Sequence, residues 1–410
     1  MRRLAVLLLV IACSCGRKEA PAPVKAPEPP EKPFATIAGD LPVANVAGPT
    51  IVFSPDYRHM AYIASKEKRY VVVVDGKSGG DFKWVGAPVF SADGAHVAHR
   101  GEEEGRSWIV LDGAKQKEHK GASDPVFLPG GGVTYVAAEE ADMLRVWHLV
   151  RNGTMGPRHE GNAFSIRISP DGKRVVVGQS IVEQKTRPTA GGEYLWSADL
   201  FQMVDCNPDE SVSRGYDVMD APVLSADGRR LAYRAADATW VIRERVAEKT
   251  ELKEFIVLDG EEKWKGWDGL GTPEFSPDGR HVACPAQKGS KWFLLVDGER
   301  RWEGYDRLFG LTFSPDGARI AGIAAAGNEI FVVIDGKRGP AFAAVHSLVL
   351  GDKTVAYQVR TPVYGEPAIV IGEQVQPLKA AEVWGPAFVG DEVRFAYRRE
   401  REIFVRSIRP

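Results

Sequence analysis

The sequence predicts an all-β fold, a single β-propeller of four-stranded blades. Three observations carry that prediction. A short phrase recurs along the chain: an apolar residue, Ser, Pro or Ala, Asp, Gly, two polar residues and an apolar pair. Its most closely spaced copies lie roughly 40 residues apart, the length of one blade. Behind most copies comes a β-rich apolar run ending in Asp-Gly, the preferred two-residue hairpin turn.

The phrase begins at Phe53 and returns at Phe90, Ile168, Leu224, Phe275 and Phe313, with degenerate copies at Phe127, Leu350 and Phe388, which makes nine units. In each unit the apolar residue ends strand A and the following residues turn the chain, as in Ser276-Pro277-Asp278-Gly279. Pro presets φ, Asp or Ser accepts a backbone hydrogen bond, and Gly tolerates positive φ. Strand B then alternates apolar residues. Strand C usually opens on an aromatic, as at Tyr70, Trp292 and Phe331. Asp75-Gly76, Asp112-Gly113, Asp259-Gly260, Asp297-Gly298 and Asp335-Gly336 close the C–D hairpins, with Asn152-Gly153 in the third unit. Strand D is polar, which suits the outermost strand of a blade, and the apolar C strands suit burial between blades.

The phrase resembles the WD40-like repeat of TolB-type periplasmic proteins, in its Ser-Pro-Asp-Gly turn and the apolar pair that follows, over nearly all of the chain beyond Thr50. The resemblance implies a propeller and an envelope scaffold. It maps no partner-binding residue onto this chain.

After Phe388 the last unit has room for strand A, strand B (Val393 to Tyr397) and strand C (Ile403 to Ile408). An open ring would leave an unpaired edge. The stretch from Phe34 to Val46 can supply the missing outer strand, so N- and C-terminal segments are expected to share one blade and close the ring. Nine blades exceed the usual range of about four to eight, and eight blades with one irregular unit is the alternative.

Residues 1–12 read as a signal peptide: a basic Met1-Arg2-Arg3, then an apolar stretch too short to span a bilayer. Val10-Ile11-Ala12-Cys13 resembles a bacterial lipobox, which implies cleavage before Cys13 and a lipid on its thiol. Ser14 in place of Asp favours the outer membrane. Residues 13–33 are rich in Pro, Ala, Lys and Glu from Glu19 to Pro33, the composition of an extended tether. The propeller occupies 34–410.

Lys and Arg total 53 and Asp and Glu 55, a net charge of −2. The signs alternate locally, leaving no polybasic footprint for nucleic acid. Beyond the anchor, Cys206 and Cys284 fall in different units; Cys284 reads as a small buried apolar residue, and pairing between the two is permitted but not favoured. No nucleophile elbow, zinc-protease motif or phosphate loop is present, and no catalytic residue or cofactor is assigned. His59, His96 and His281 share one repeat position, held elsewhere by Arg174, Arg230 and Arg319, so they sit on different blades and flank turns. The turn aspartates offer one carboxylate each, short of the six to eight oxygens that calcium takes. No metal site is expected.

A second slot lies eight positions before the end of strand A: Phe82, Tyr216, Trp267, Tyr305 and Phe342. Three of these stand in Gly-aromatic-Asp triplets. They read as wedges between blades, or as an aromatic ring at one channel mouth. The fourth unit inserts residues 179–193 and the fifth 236–254 between strands B and C, with a smaller extension at 206–213. Alternating strand direction puts both large insertions on the face opposite the tight Ser-Pro-Asp-Gly turns, as a crest beside the channel. The fifth insertion, from Trp240 to Val246, has the alternation of a protruding hairpin. Candidate binding residues are therefore Tyr216, Trp267 and Tyr305 of the aromatic slot and Arg187, Trp240, Arg243 and Arg245 of the crest. The expected function is that of a lipid-anchored, non-enzymatic envelope scaffold with a monomeric head that binds a protein or peptide. It would meet the membrane through its lipid alone. A carbohydrate-active lyase or hydrolase at the channel mouth is the alternative.

Overall fold

A computed structural model describes residues 32–37, 50–138, 146–189, 192–206, 211–243, 246–302, 304–360 and 366–410. The signal peptide, Cys13 and most of the tether lie outside these residues. The described chain is all-β, with nine antiparallel sheets, each hydrogen-bonded in the order D-C-B-A. Blade 1 runs Ile51–Phe53, Met60–Lys66, Arg69–Val74 and Lys77–Phe82 from A to D. The degenerate copies at Phe127, Leu350 and Phe388 each build a blade, which excludes the eight-blade alternative.

Strand A is innermost. The A strands of successive blades touch around the ring, from blades 1–3 and 4–9. Cores form between blades. Ile63, Val72 and Phe82 of blade 1 pack on Val85, Val97 and Val110 of blade 2, and Ile369 of blade 8 packs on Val393, Phe395 and Tyr397 of blade 9. Each sheet is thus apolar on both faces, the reason its C strand reads as a near-continuous apolar run.

Blade 9 holds Glu382–Val389, Glu392–Arg399 and Glu402–Ile408 as strands A, B and C. Its outer strand is Ala35–Thr36, paired antiparallel with Ile403 and Glu402. Backbone hydrogen bonds from Phe34 N–H to the Ile403 carbonyl (2.7 Å) and from Ile37 N–H to the Arg401 carbonyl (2.8 Å) flank the pair. Ile37 and Ile403 then pack against Ile51, Met60 and Tyr62 of blade 1. The two ends of the chain therefore share a blade and close the ring. Residues 38–49 of the expected closing stretch lie outside the described residues.

In blades 2, 3, 5 and 6 strand A breaks into two short pieces, around Pro88, Pro125, Pro222 and Pro273. Each proline stands two residues before the phrase. It has no N–H to donate to strand B, so the ladder is interrupted there. Pro386 fills the same slot in blade 9, inside a register shift between Trp384 and Ala387.

Candidate functional site

The two ends of the propeller are built differently. At the tight-turn end, Ser54, Ser91, Ser169, Ser225, Ser276 and Ser314 each donate their hydroxyl to the turn aspartate two residues on, at 2.5–2.6 Å. The same hydroxyl accepts the N–H five residues on, at 2.9–3.0 Å. The serine hydroxyl first, then the backbone N–H two residues further, hold the carboxyls of Asp93, Asp171, Asp227, Asp278 and Asp316 below the usual carboxylate range. These carboxylates are spent on the turn.

The histidines and arginines before strand B are engaged as well. His59, His96 and His281 meet the hairpin aspartates Asp75, Asp112 and Asp297 at 2.6–2.7 Å, and Arg174, Arg230 and Arg319 meet Asp205, Asp259 and Asp335 at 2.9–3.1 Å. The second carboxylate oxygen usually caps the first N–H of strand B, as Asp259 does for Leu231 at 2.9 Å. Arg174 and Arg230 also reach carbonyls of the next blade's turn, at 2.8–3.1 Å. The turn-flanking reading of the three histidines holds.

At the opposite end, blades 6 and 7 turn from strand B to strand C after strands of ordinary length, Val282–Lys288 and Ile320–Ala326. Blades 4 and 5 carry the pairing much further out. Strands Val175–Thr189 and Gly192–Asp205 stay paired from Val176–Asp205 out to Thr189–Gly192, and Leu231–Arg243 with Val246–Leu258 from Ala232–Leu258 to Arg243–Val246. Both insertions are protruding β-hairpins. Strand B of blade 4 has 15 residues against 7 in blade 6, so the hairpin reaches about 25 Å further at about 3.3 Å per residue. Arg187, Trp240 and Arg243 lie on these strands; their side chains, and Arg245 altogether, fall outside the described residues. The extension after strand C of blade 4 carries a short outer strand, Ser211–Val212.

The aromatic slot packs blades together. Tyr216 is buried, edge-on to Tyr233 and Phe255 of blade 5 at 6.1 and 5.8 Å. Trp267 packs on Phe293 at 6.4 Å, Tyr305 on Phe331 at 6.0 Å and Phe342 on Tyr357 at 6.0 Å, in each case across to the next blade. The wedge arrangement holds, and a buried Tyr216 has almost no surface left to offer a ligand. The aspartate of each triplet has its own task. Asp217, Asp268 and Asp306 accept the N–H of Ala238, Gly289 and Gly327, at 2.6–2.8 Å and each 21 residues on. In blades 6 and 7 that N–H belongs to the B–C turn. In blade 5 it belongs to the base of the hairpin, which Arg214 also grips through both oxygens of Asp237 at 2.7 and 2.9 Å. Gln179, at the base of the blade 4 hairpin, accepts a hydrogen bond from Trp147 of blade 3 at 3.2 Å.

Aromatic rings do stand exposed by the channel, in a slot that sequence reasoning missed. Four positions before the phrase, Phe164 of blade 4 and Phe309 of blade 7 are each 45% exposed, on A strands bulged at that point. Counting back four residues, where four other units carry Gly86, Ser123, Asp220 and Gly271, would have found them. Phe164 lines a cleft of about 810 Å³ spanning blades 2 to 5, with Arg100, Arg106, Lys120 and Arg167 on its wall. The two carboxylates there, Glu102 and Asp124, are both held by Arg100 at 2.8 and 3.1 Å. Phe309 lines a second cleft, of about 600 Å³, between blades 6 and 7. The tight-turn end also has recesses, of about 580 Å³ around Trp302 and about 750 Å³ between blades 7 and 8. That end is therefore less smooth than its short turns suggest. Cys206 and Cys284 form no disulfide with one another; Cys284 is buried, which pushes its thiol up. No group of three or more metal-binding side chains occurs among the described residues.

No family model matches this chain, and no curated protein does. Solved structures resemble it distantly. A eukaryotic initiation factor is 10% identical over 83% of this chain and 89% of its own, with a TM-score of 0.49. The β-propeller domain of the trilobed protease from Pyrococcus furiosus, described as having an open velcro topology, is 17% identical over 69% and 94%, with a TM-score of 0.36. TolB from Acinetobacter baumannii is 18% identical over 60% and 63%, with a TM-score of 0.30. Likeness at this distance carries no argument about function.

Proposed function

We propose that this chain is a non-enzymatic scaffold of the bacterial envelope, anchored through a lipid on Cys13 and a Pro-rich tether, that captures a protein or peptide with the hairpin end of its propeller. One observation carries the reading: among the described residues, the adjacent blades 4 and 5 carry their paired B–C strands further than any other blade, both at the same end and beside one another. Hairpins that add strand length without deepening the ring's core do little for its stability, and they offer a large surface for recognition. Their bases are braced by Asp217, Arg214 and Gln179, which presents them as firm arms. At the other end the polar groups are consumed by the turns.

The test is to replace residues 182–199 or 239–251 with Asn-Gly and recover partners from detergent-solubilised envelopes. The trimmed proteins should fold and lose partner recovery. Full recovery by both would move the site elsewhere. The anchor is tested separately: Cys13→Ala should abolish labelling with palmitate, and equal labelling of the variant would reject Cys13 as the modified residue.

A further inference from the structure

In five of the nine blades the residue just before the phrase is an inward-packing valine, while blade 4 has an exposed Arg167 there and blade 7 has Thr312. The five are Val52, Val89, Val126, Val223 and Val349, and each packs in the core it shares with the next blade. Blade 6 puts Glu274 there. Its strand neighbour Phe275 is buried, and the slot faces the start of blade 7's strand A, Arg307–Phe313. No described residue donates a hydrogen bond to the Glu274 carboxylate or pairs with it; burial alone acts on it and raises its pKa. A carboxylate in a valine's place, without a partner, is a cost that packing does not explain.

The carboxylate opens onto the cleft of about 600 Å³, whose walls are Pro285, Trp292, Leu308, Phe309 and Leu311. Arg307 is the other charged side chain on the wall, and it is exposed. A lone anion among aromatic and aliphatic walls is the complement of a weakly hydrated organic cation. Guanidinium fits best, because its plane stacks on aromatic faces while its N–H groups fork onto a carboxylate. We propose that the cleft between blades 6 and 7 is a binding site for a guanidinium group, with Glu274 as its anionic partner and Phe309 and Trp292 as its walls. The site is independent of the hairpins, and its assignment stands or falls without them.

Calorimetric titration of the intact protein tests it, with N-acetyl-argininamide as the probe for a peptide side chain, free arginine for the amino acid, and N-acetyl-citrullinamide as the neutral isostere. The arginine probes should bind and the citrulline one should not; the tighter of the two arginine probes identifies the natural source. Glu274→Gln should weaken binding by about tenfold or more, as loss of a charged partner does. Glu274→Val, the residue other blades use, should abolish binding and raise the melting temperature, which shows that the loss is not unfolding. Affinity should fall on acidification, as Glu274 takes up a proton at a pH above the usual carboxylate range. Equal binding of the citrulline probe, or unchanged affinity in Glu274→Gln, overturns the assignment. So does loss of binding in Arg307→Gln with Glu274→Gln unaffected.

Discussion

The two ends of this propeller show how far a repeat can be read and where it stops. At the tight-turn end six of the nine blades solve one problem in one way. A short A–B turn leaves backbone N–H groups that must be satisfied, and a Ser and an Asp do it from within the turn. The hairpin aspartate adds a clamp on strand B and on the His or Arg before it. These demands recur with the fold, so the residues recur with the period. At the hairpin end the demands are looser. A short hairpin or a long one closes the same pair of strands, and Asp217 caps the extended blade 5 as Asp268 and Asp306 cap the short blades 6 and 7. Uniform chemistry marks the end that holds the ring together, and variation marks the end that is free to do something else.

The largest expected effect breaks the ring on which both ends depend. Deleting the chain through Ile37 removes the outer strand of blade 9 and uncovers Ile403 and Ile51. Stability should fall by several kcal/mol, the scale of a lost strand with its buried isoleucine. An unchanged melting temperature would show that closure does not depend on this strand.

Next comes the clamp. Asp259→Ala removes the acceptor of the Leu231 N–H and the partner of Arg230. The cost should be about 2 kcal/mol, because a buried N–H is left unsatisfied. A denaturant melt of the single variant reads it, and a change within error would mean that water replaces the aspartate.

Trimming either hairpin should change stability by about 1 kcal/mol, since closure entropy depends weakly on loop length. A loss as large as that of the clamp variant would show that the hairpins stabilise the ring, and would dissolve the contrast between the two ends.

The smallest effect is electrostatic. The depressed carboxyls of Asp93, Asp171, Asp227, Asp278 and Asp316 contribute stability that is present above their ordinary value of 3.8 and lost as pH falls through their lower folded values. His96 acts in the other sense. Asp112 raises its pKa, so its contribution is present below 6.5 and lost as pH rises through the higher folded value. Melting curves should fall off at the acid end, with a shallower fall in Asp171→Asn, and His96→Gln should remove a small decline at the alkaline side. An acid limb unaltered in Asp171→Asn would mean that its turn is held by the backbone alone.

Much of this was legible in the chain. The number of blades, their turns, the closing strand, the turn-flanking place of His59, His96 and His281, and the position of both insertions follow from residues that act within one unit or at its ends. Local turn chemistry needs particular residue types at fixed offsets, so the period displays it. What the period could not display lies between units. That Tyr216 packs on Tyr233 and Phe255, that Asp217 caps Ala238, and that Glu274 faces the start of blade 7's strand A depend on how one twisted sheet lies against the next. The prolines that break strand A stood in plain sight, yet their effect depends on which edge of the sheet is innermost. Sequence by itself determined the blade and its repetition, because turns and strand alternation are local. Only the tertiary structure decided which residues of neighbouring blades share a cleft, because that follows from the angle between sheets, which no single blade contains.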